Sequence, residues 1–225
     1  MLSLKKSLSL NTTKQSLWQP TNETSLEAWY RKATDITEIS DAVSEWADQS
    51  SNSIDMEQSV ADDRPTFANG VVTFDGNDCN LQSSGQISLA GDYTLGVTLK
   101  PTGTVSNYVV VGDNTTGAHF IKLQDDDTIY IRSGDGVKGI SLTSGAKFTD
   151  GGYFVLTRDS SNFTLFWNGV QESQVSVIAG TQLLDTIGGR FVDNEEYIGD
   201  ITEIQIYSST SAALTANINT RLATL

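Results

Sequence analysis

One cysteine, one histidine and three prolines stand in 225 residues, and each scarcity closes a route. Cys79, alone, forms no internal disulfide, so the fold must rest on its apolar core and is compatible with a reducing cytosol. It reads as a small buried hydrophobe rather than as a reactive thiol. His119, alone, excludes multi-histidine metal sites and leaves one candidate general base; no G-x-S-x-G nucleophile motif accompanies it. Positive charge is scarce as well. The chain carries 14 Lys plus Arg against 28 Asp plus Glu, a net charge of −14, and a pI of about 4.3, which argues against nucleic acid or an anionic membrane as partner. No stretch approaches the ~20 apolar residues of a membrane span. The opening MLSLKKSLSL has lysines but no continuous apolar segment, so a soluble, non-exported protein without membrane insertion is expected.

From about Val71 to Tyr207, short β-type runs alternate with Gly, Asn, Asp and Ser clusters, the pattern of a β-sandwich. YTLGVTLK places Tyr93, Leu95, Val97 and Leu99 on one face and Thr94, Gly96, Thr98 and Lys100 on the other, predicting one buried and one wet face. HFIKLQDDDTIYIRS predicts a hairpin turning at Asp125 to Asp127, and YFVLTRDSSNFTLFWNGVQESQVSV predicts two more, the second turning at Asn168-Gly169. Near the end, Leu214, Ile218 and Leu222 recur four apart behind Ser and Thr capping candidates, with Arg221 in the last turn, so a short helix over 211–224 should pack on the sandwich. Residues 1–25 read as an arm in front of a domain spanning 26–225. Leu2, Leu4, Leu8 and Leu10 fall at even spacing in that arm, which stays open to three fates: unordered, laid on its own domain, or docked on another subunit. Docking is simplest by strand addition, with the leucines and Trp18 finding pockets.

YIGDITEIQIYSS puts Asp200 and Glu203 in one strand. Glycosidases need two carboxyl groups aimed at one bond, about 5–5.5 Å apart in retaining enzymes and about 6.5–9.5 Å in inverting ones. Residues three apart on a regular strand point to opposite faces, which argues against a catalytic pair and makes Glu203 and Gln205 the polar side of the strand, with Asp200 organising the turn after Gly199.

Several motifs together resemble concanavalin A-like, laminin-G-like jelly rolls. They are Trp29-Tyr30, Trp46 with Asp48, Ser51-Asn52-Ser53, Arg64-Pro65, the FDGND of 74–78, the RD and WNGV of the 156–171 hairpin, and the closing GDITEIQIY followed by a helix. The resemblance implies an all-β antiparallel jelly roll. Superfamily glucanases carry E-x-D-x(x)-E on one strand, and no such run occurs here, so no enzyme is expected. The resemblance also implies two ligands. Calcium is the possible cofactor, held by loop oxygens; Asp75 and Asp78 are the preferred candidates, ahead of Asp125-Asp126-Asp127 and Asp193-Asn194-Glu195-Glu196. Host surface glycans would need an aromatic platform beside hydrogen-bonding side chains, for which the indoles are Trp18, Trp29, Trp46 and Trp167, with Trp46 and Trp167 placed in the core. With its leucine-bearing arm, the chain most resembles virion structural proteins of tailed bacteriophages, including those of marine cyanobacteria. That implies a particle component made in a host cytoplasm, fastened to capsid or tail proteins through Leu2, Leu4, Leu8, Leu10 and Trp18, and open to self-association.

Overall fold

The computed structural model describes residues 17–134, 136–190 and 195–225. Two layers of antiparallel sheet face each other. The first runs from Leu26–Tyr30 through Ile198–Tyr207, Tyr93–Pro101, Gly152–Arg158 and Asn162–Trp167 to Val170–Ser176. The second runs from Gly136–Ser141 through Thr128–Ser133, Phe120–Leu123, Tyr108–Gly112 and Gln182–Ile187 to Leu81–Leu89. Short strands at Met56–Glu57, Ala42–Trp46, Thr66–Ala68 and Val71–Asp75 carry the pairing from the second layer back to the start of Ile198–Tyr207. The chain is the β-sandwich that the alternating runs predict, and an all-β antiparallel jelly roll as the family resemblance implies. Its interior holds Tyr30, Trp46, Phe74, Leu95, Ile131, Phe154, Trp167 and Ile204, and the three expected hairpins form with Asp127, Asn168 and Gly169 at positive φ.

Tyr93 to Val97 are buried on both faces, which corrects the wet face expected of YTLGVTLK for that half of the strand; Lys100 is exposed as expected. The helix Ala212–Leu222 lies across the first sheet, started by Ser211, whose hydroxyl accepts a 3.0 Å bond from Leu214 N. Leu214, Ile218 and Leu222 pack with Trp29, Val155 and Tyr207 on the outer side of that sheet. Gly96 permits the close approach: a Cβ there would lie 2.6 Å from Ile218 Cγ2. Strand alternation shows that a polar side exists; it does not show what covers it.

The closing strand is also not regular. Asp200 pairs with Lys100 and Glu203 with Thr98, and an extra residue at Thr202 shifts the register between Ile201 and Glu203. Lys100 and Thr98 share a face, so Asp200 and Glu203 share it too, contrary to the opposite faces expected of an unbroken strand. Asp200 accepts a 2.6 Å bond from Thr73 Oγ1 within the strand and does not organise the turn after Gly199.

The motifs that carry the family resemblance make turns. Asp48 is buried and accepts from Trp29 N and Ser50 N, each at 2.8 Å, and from Ile54 N at 3.1 Å. Asn52 Nδ2 reaches Glu27 O at 2.9 Å. Arg158 donates to Gly180 O and Ile178 O, and Asp159 Oδ1 accepts from Ser161 N and Asn162 N. Such bonds satisfy backbone groups that loops leave unpaired.

Candidate functional site

The helix covers only part of the first sheet. Where it ends as a roof, the outer surfaces of Asn162–Trp167 and Val170–Ser176 continue as a floor, and the step between them is a groove of about 680 Å³. That volume lies within the roughly 300–1,000 Å³ of small-ligand sites. Strand alternation places the floor residues: Phe163, Leu165 and Trp167 enter the core, so Thr164 and Phe166 face outward. Thr157 and Gln174 flank them, and Gln174 Nε2 donates to Thr164 Oγ1 at 2.7 Å. The wall is one side of the helix. Ala212 and Ala216, four apart, keep it shallow, while Thr215 and Asn219 give it polarity. Asn219 Nδ2 is spent on Thr215 O at 2.9 Å, and its Oδ1 is buried without a partner. The groove thus offers one half-buried aromatic ring among hydroxyl and amide groups that both donate and accept.

Beside the groove, the polar face of the closing strand is sealed. Glu203, 0% exposed, accepts from Trp29 Nε1 at 3.0 Å, from Gln205 Nε2 at 2.7 Å, and from Arg221 Nε and Nη2 at 2.5 and 3.0 Å. Tyr207 extends the chain of bonds to Gln205. Arg221 also lies over the Trp29 ring, 4.9 Å from its centre, and holds Gln19 Oε1 at 3.0 Å. These groups bind the helix and residues 18–25 to the sandwich; they face no ligand.

The sequence-derived candidates scatter. Leu2, Leu4, Leu8 and Leu10 lie outside the described residues, as do Asp193 and Asn194. Trp18 is half-buried against the helix, with Nε1 donating to Glu23 Oε1 at 2.7 Å, next to Leu17, which is 83% exposed. Trp46 and Trp167 are core residues as expected, and Trp29 is buried under the helix, so no indole floors the groove. Phe166 takes that place. The alternation of NFTLFW marks it as outward-facing, a signal carried by a phenylalanine and not by any of the four tryptophans.

Asp75 and Asp78 are exposed, Asp75 Oδ1 receives Asn77 N at 2.9 Å, and Asp78 sits at φ 57°. Calcium takes 6–8 oxygens. Among the described residues no three acidic, histidine or cysteine side chains come together, so a calcium ion at Asp75 and Asp78 would draw its remaining oxygens from backbone carbonyls, amides and water. Asp127 is engaged with Lys147 and with Phe148 N, and Glu195 with Lys122 and Arg190. Asp113 and Asp185 approach each other across a loop, where Asn114 N and Thr115 Oγ1 donate to Asp185, and Thr115 N donates to Asp113. Burial pushes the Asp185 carboxyl above its usual pKa, against the pull of those bonds. His119 is nearly buried and accepts from Gly134 N; burial holds its imidazole below the usual value, with Asp113 opposing. Cys79 is buried, and burial pushes its thiol up to about 12.

The fold is a two-layer jelly roll with a polar groove in which Asp159 is the one carboxylate among the described lining residues. The chain belongs to the concanavalin A-like lectin/glucanases superfamily, whose model matches residues 74–217, more than half of it. No curated protein matches the sequence. Among solved structures, it resembles domain 4 of AbnA, a GH43 extracellular arabinanase from Geobacillus stearothermophilus in complex with arabinotriose, at TM-score 0.54 and 14% identity over 70% of this chain and 81% of that one. It also resembles Trypanosoma rangeli sialidase in complex with 2,3-difluorosialic acid, at TM-score 0.61 and 12% identity over 91% of this chain. It spans only 34% of that enzyme.

Proposed function

We propose that the chain is a non-enzymatic carbohydrate-binding module that holds a sugar chain in the groove beside the C-terminal helix. The observation that carries this reading is the setting of Phe166: an aromatic face for sugar C–H groups, with Thr157, Thr164 and Gln174 around it to satisfy hydroxyls. Membership of a lectin and glucanase superfamily, and the likeness of fold to a domain solved with arabinotriose, support it. The carboxylates speak against turnover. Glu203 is sealed and engaged, Asp200 is bonded to Thr73, and Asp159 is the one carboxylate among the groove's lining residues, whereas hydrolysis needs two. Electrophoresis through gels containing soluble polysaccharides tests the reading. Retardation that Phe166→Ala relieves, with no reducing ends released, is expected; equal mobility in every gel contradicts binding, and release of reducing ends contradicts the non-enzymatic part.

A second reading, anchoring of the module to another protein through its N-terminal arm, rests on the evenly spaced leucines of that arm, Leu2, Leu4, Leu8 and Leu10. The identity of that partner as a capsid or tail protein rests on the sequence resemblance alone. Immunogold labelling of phage particles with an antibody against residues 26–225 tests it, and unlabelled particles would refute it.

A further inference from the structure

We infer that the groove selects neutral oligosaccharides and rejects acidic ones, an inference that rests on the reading of the groove as a sugar site. Its polar lining is hydroxyl and amide, groups that exchange hydrogen bonds in both directions with sugar hydroxyls. A sialic or uronic acid carboxylate requires instead a charged donor, above all a guanidinium. Among the described residues the lining contains no Lys or Arg, and its one formal charge is Asp159. Oδ1 of Asp159 is occupied by Ser161 N and Asn162 N, both at 2.7 Å, and Oδ2 makes no hydrogen bond among the described residues, leaving an acceptor that serves a sugar hydroxyl and repels a carboxylate.

Two neighbouring positive features leave this unchanged. Arg158 adjoins Asp159 in sequence, but its guanidinium is directed to Gly180 O and Ile178 O and lies over the Tyr93 ring, inside the sandwich. The helix begins at the groove, and a helix N-terminus carries the equivalent of about half a positive charge. Ser211 Oγ already caps Leu214 N, and a full negative charge at Asp159 exceeds that half charge. The chain's net charge of −14 adds long-range repulsion of anions in the same direction.

The test is calorimetric titration of the full chain with neutral trisaccharides (arabinotriose, xylotriose, cellotriose, maltotriose) and with acidic ones (3′-sialyllactose, trigalacturonate). Binding of at least one neutral probe and of neither acidic probe is expected. Ala216→Trp, at an exposed helix position, should fill the groove and abolish that binding, while Gln174→Ala should weaken it about tenfold. Asp159→Asn, which keeps an oxygen for Ser161 N and Asn162 N, should narrow the neutral-to-acidic preference. Binding of the acidic probes alone overturns the selectivity and leaves sugar binding standing. An unchanged preference in Asp159→Asn overturns its electrostatic basis, and neutral binding indifferent to Ala216→Trp overturns its location. Binding of no probe overturns both this inference and the proposed function.

Discussion

At the scale of single residues, Glu203 is a fully buried acid. Its carboxylate is out of solvent and balanced by Arg221, with Trp29 and Gln205 completing its hydrogen bonds. Breaking such a pair leaves a buried charge without its partner. Glu203→Gln should therefore cost about 3 kcal/mol, lowering Tm by roughly 6–12 °C for a chain of this size. Thermal denaturation reads this directly, and an unchanged Tm would show that Arg221 finds another partner. Cys79 gives a pH-dependent counterpart. Its folded-state thiol is raised from 9.0 to about 12, so the folded form keeps its proton where the unfolded form loses it. The contribution is fully present below pH 9 and is lost as pH rises from there towards 12. Native protein at pH 8 should be silent to a thiol reagent and react only on unfolding; rapid native-state modification would contradict the burial.

At the scale of elements, the contact between helix and sheet is the most consequential for the groove, because the helix is one of its walls. Gly96 leaves the space that Ile218 fills. Gly96→Val should push the helix outward, and hydrogen exchange across 212–222 should accelerate more than exchange across 152–158. Ile218→Ala should cost about 2–5 kcal/mol by opening a cavity in the same contact. Equal exchange in wild type and Gly96→Val would mean that the seat adapts without loosening. The helix itself was legible, because Leu214, Ile218 and Leu222 with Ser211 and Arg221 form a local pattern. The hairpins were legible for the same reason, with Asn168-Gly169 and the Asp125 to Asp127 run as local turn chemistry. The bulge at Thr202 was not, since it depends on which strand residues 198–207 meet, and with it went the correct facing of Asp200 and Glu203. The groove was invisible too, being assembled from Thr157, Phe166, Gln174 and Asn219, which sequence separates and only the docked helix brings together.

At the scale of the whole molecule, an acidic sandwich of the concanavalin A-like lectin/glucanases superfamily presents one polar, ring-floored groove on the sheet its helix half covers. The sheet supplies rigidity, and the groove residues come from strands and helix rather than from long loops, so little ordering is required on binding. Chemical-shift mapping during titration with a neutral oligosaccharide tests this most directly. The account predicts that backbone amides of 157–174 and 210–219 move together and saturate, while those of 108–133 on the opposite sheet stay still. Saturating shifts confined to the opposite sheet, or no shifts with any neutral sugar, would contradict it.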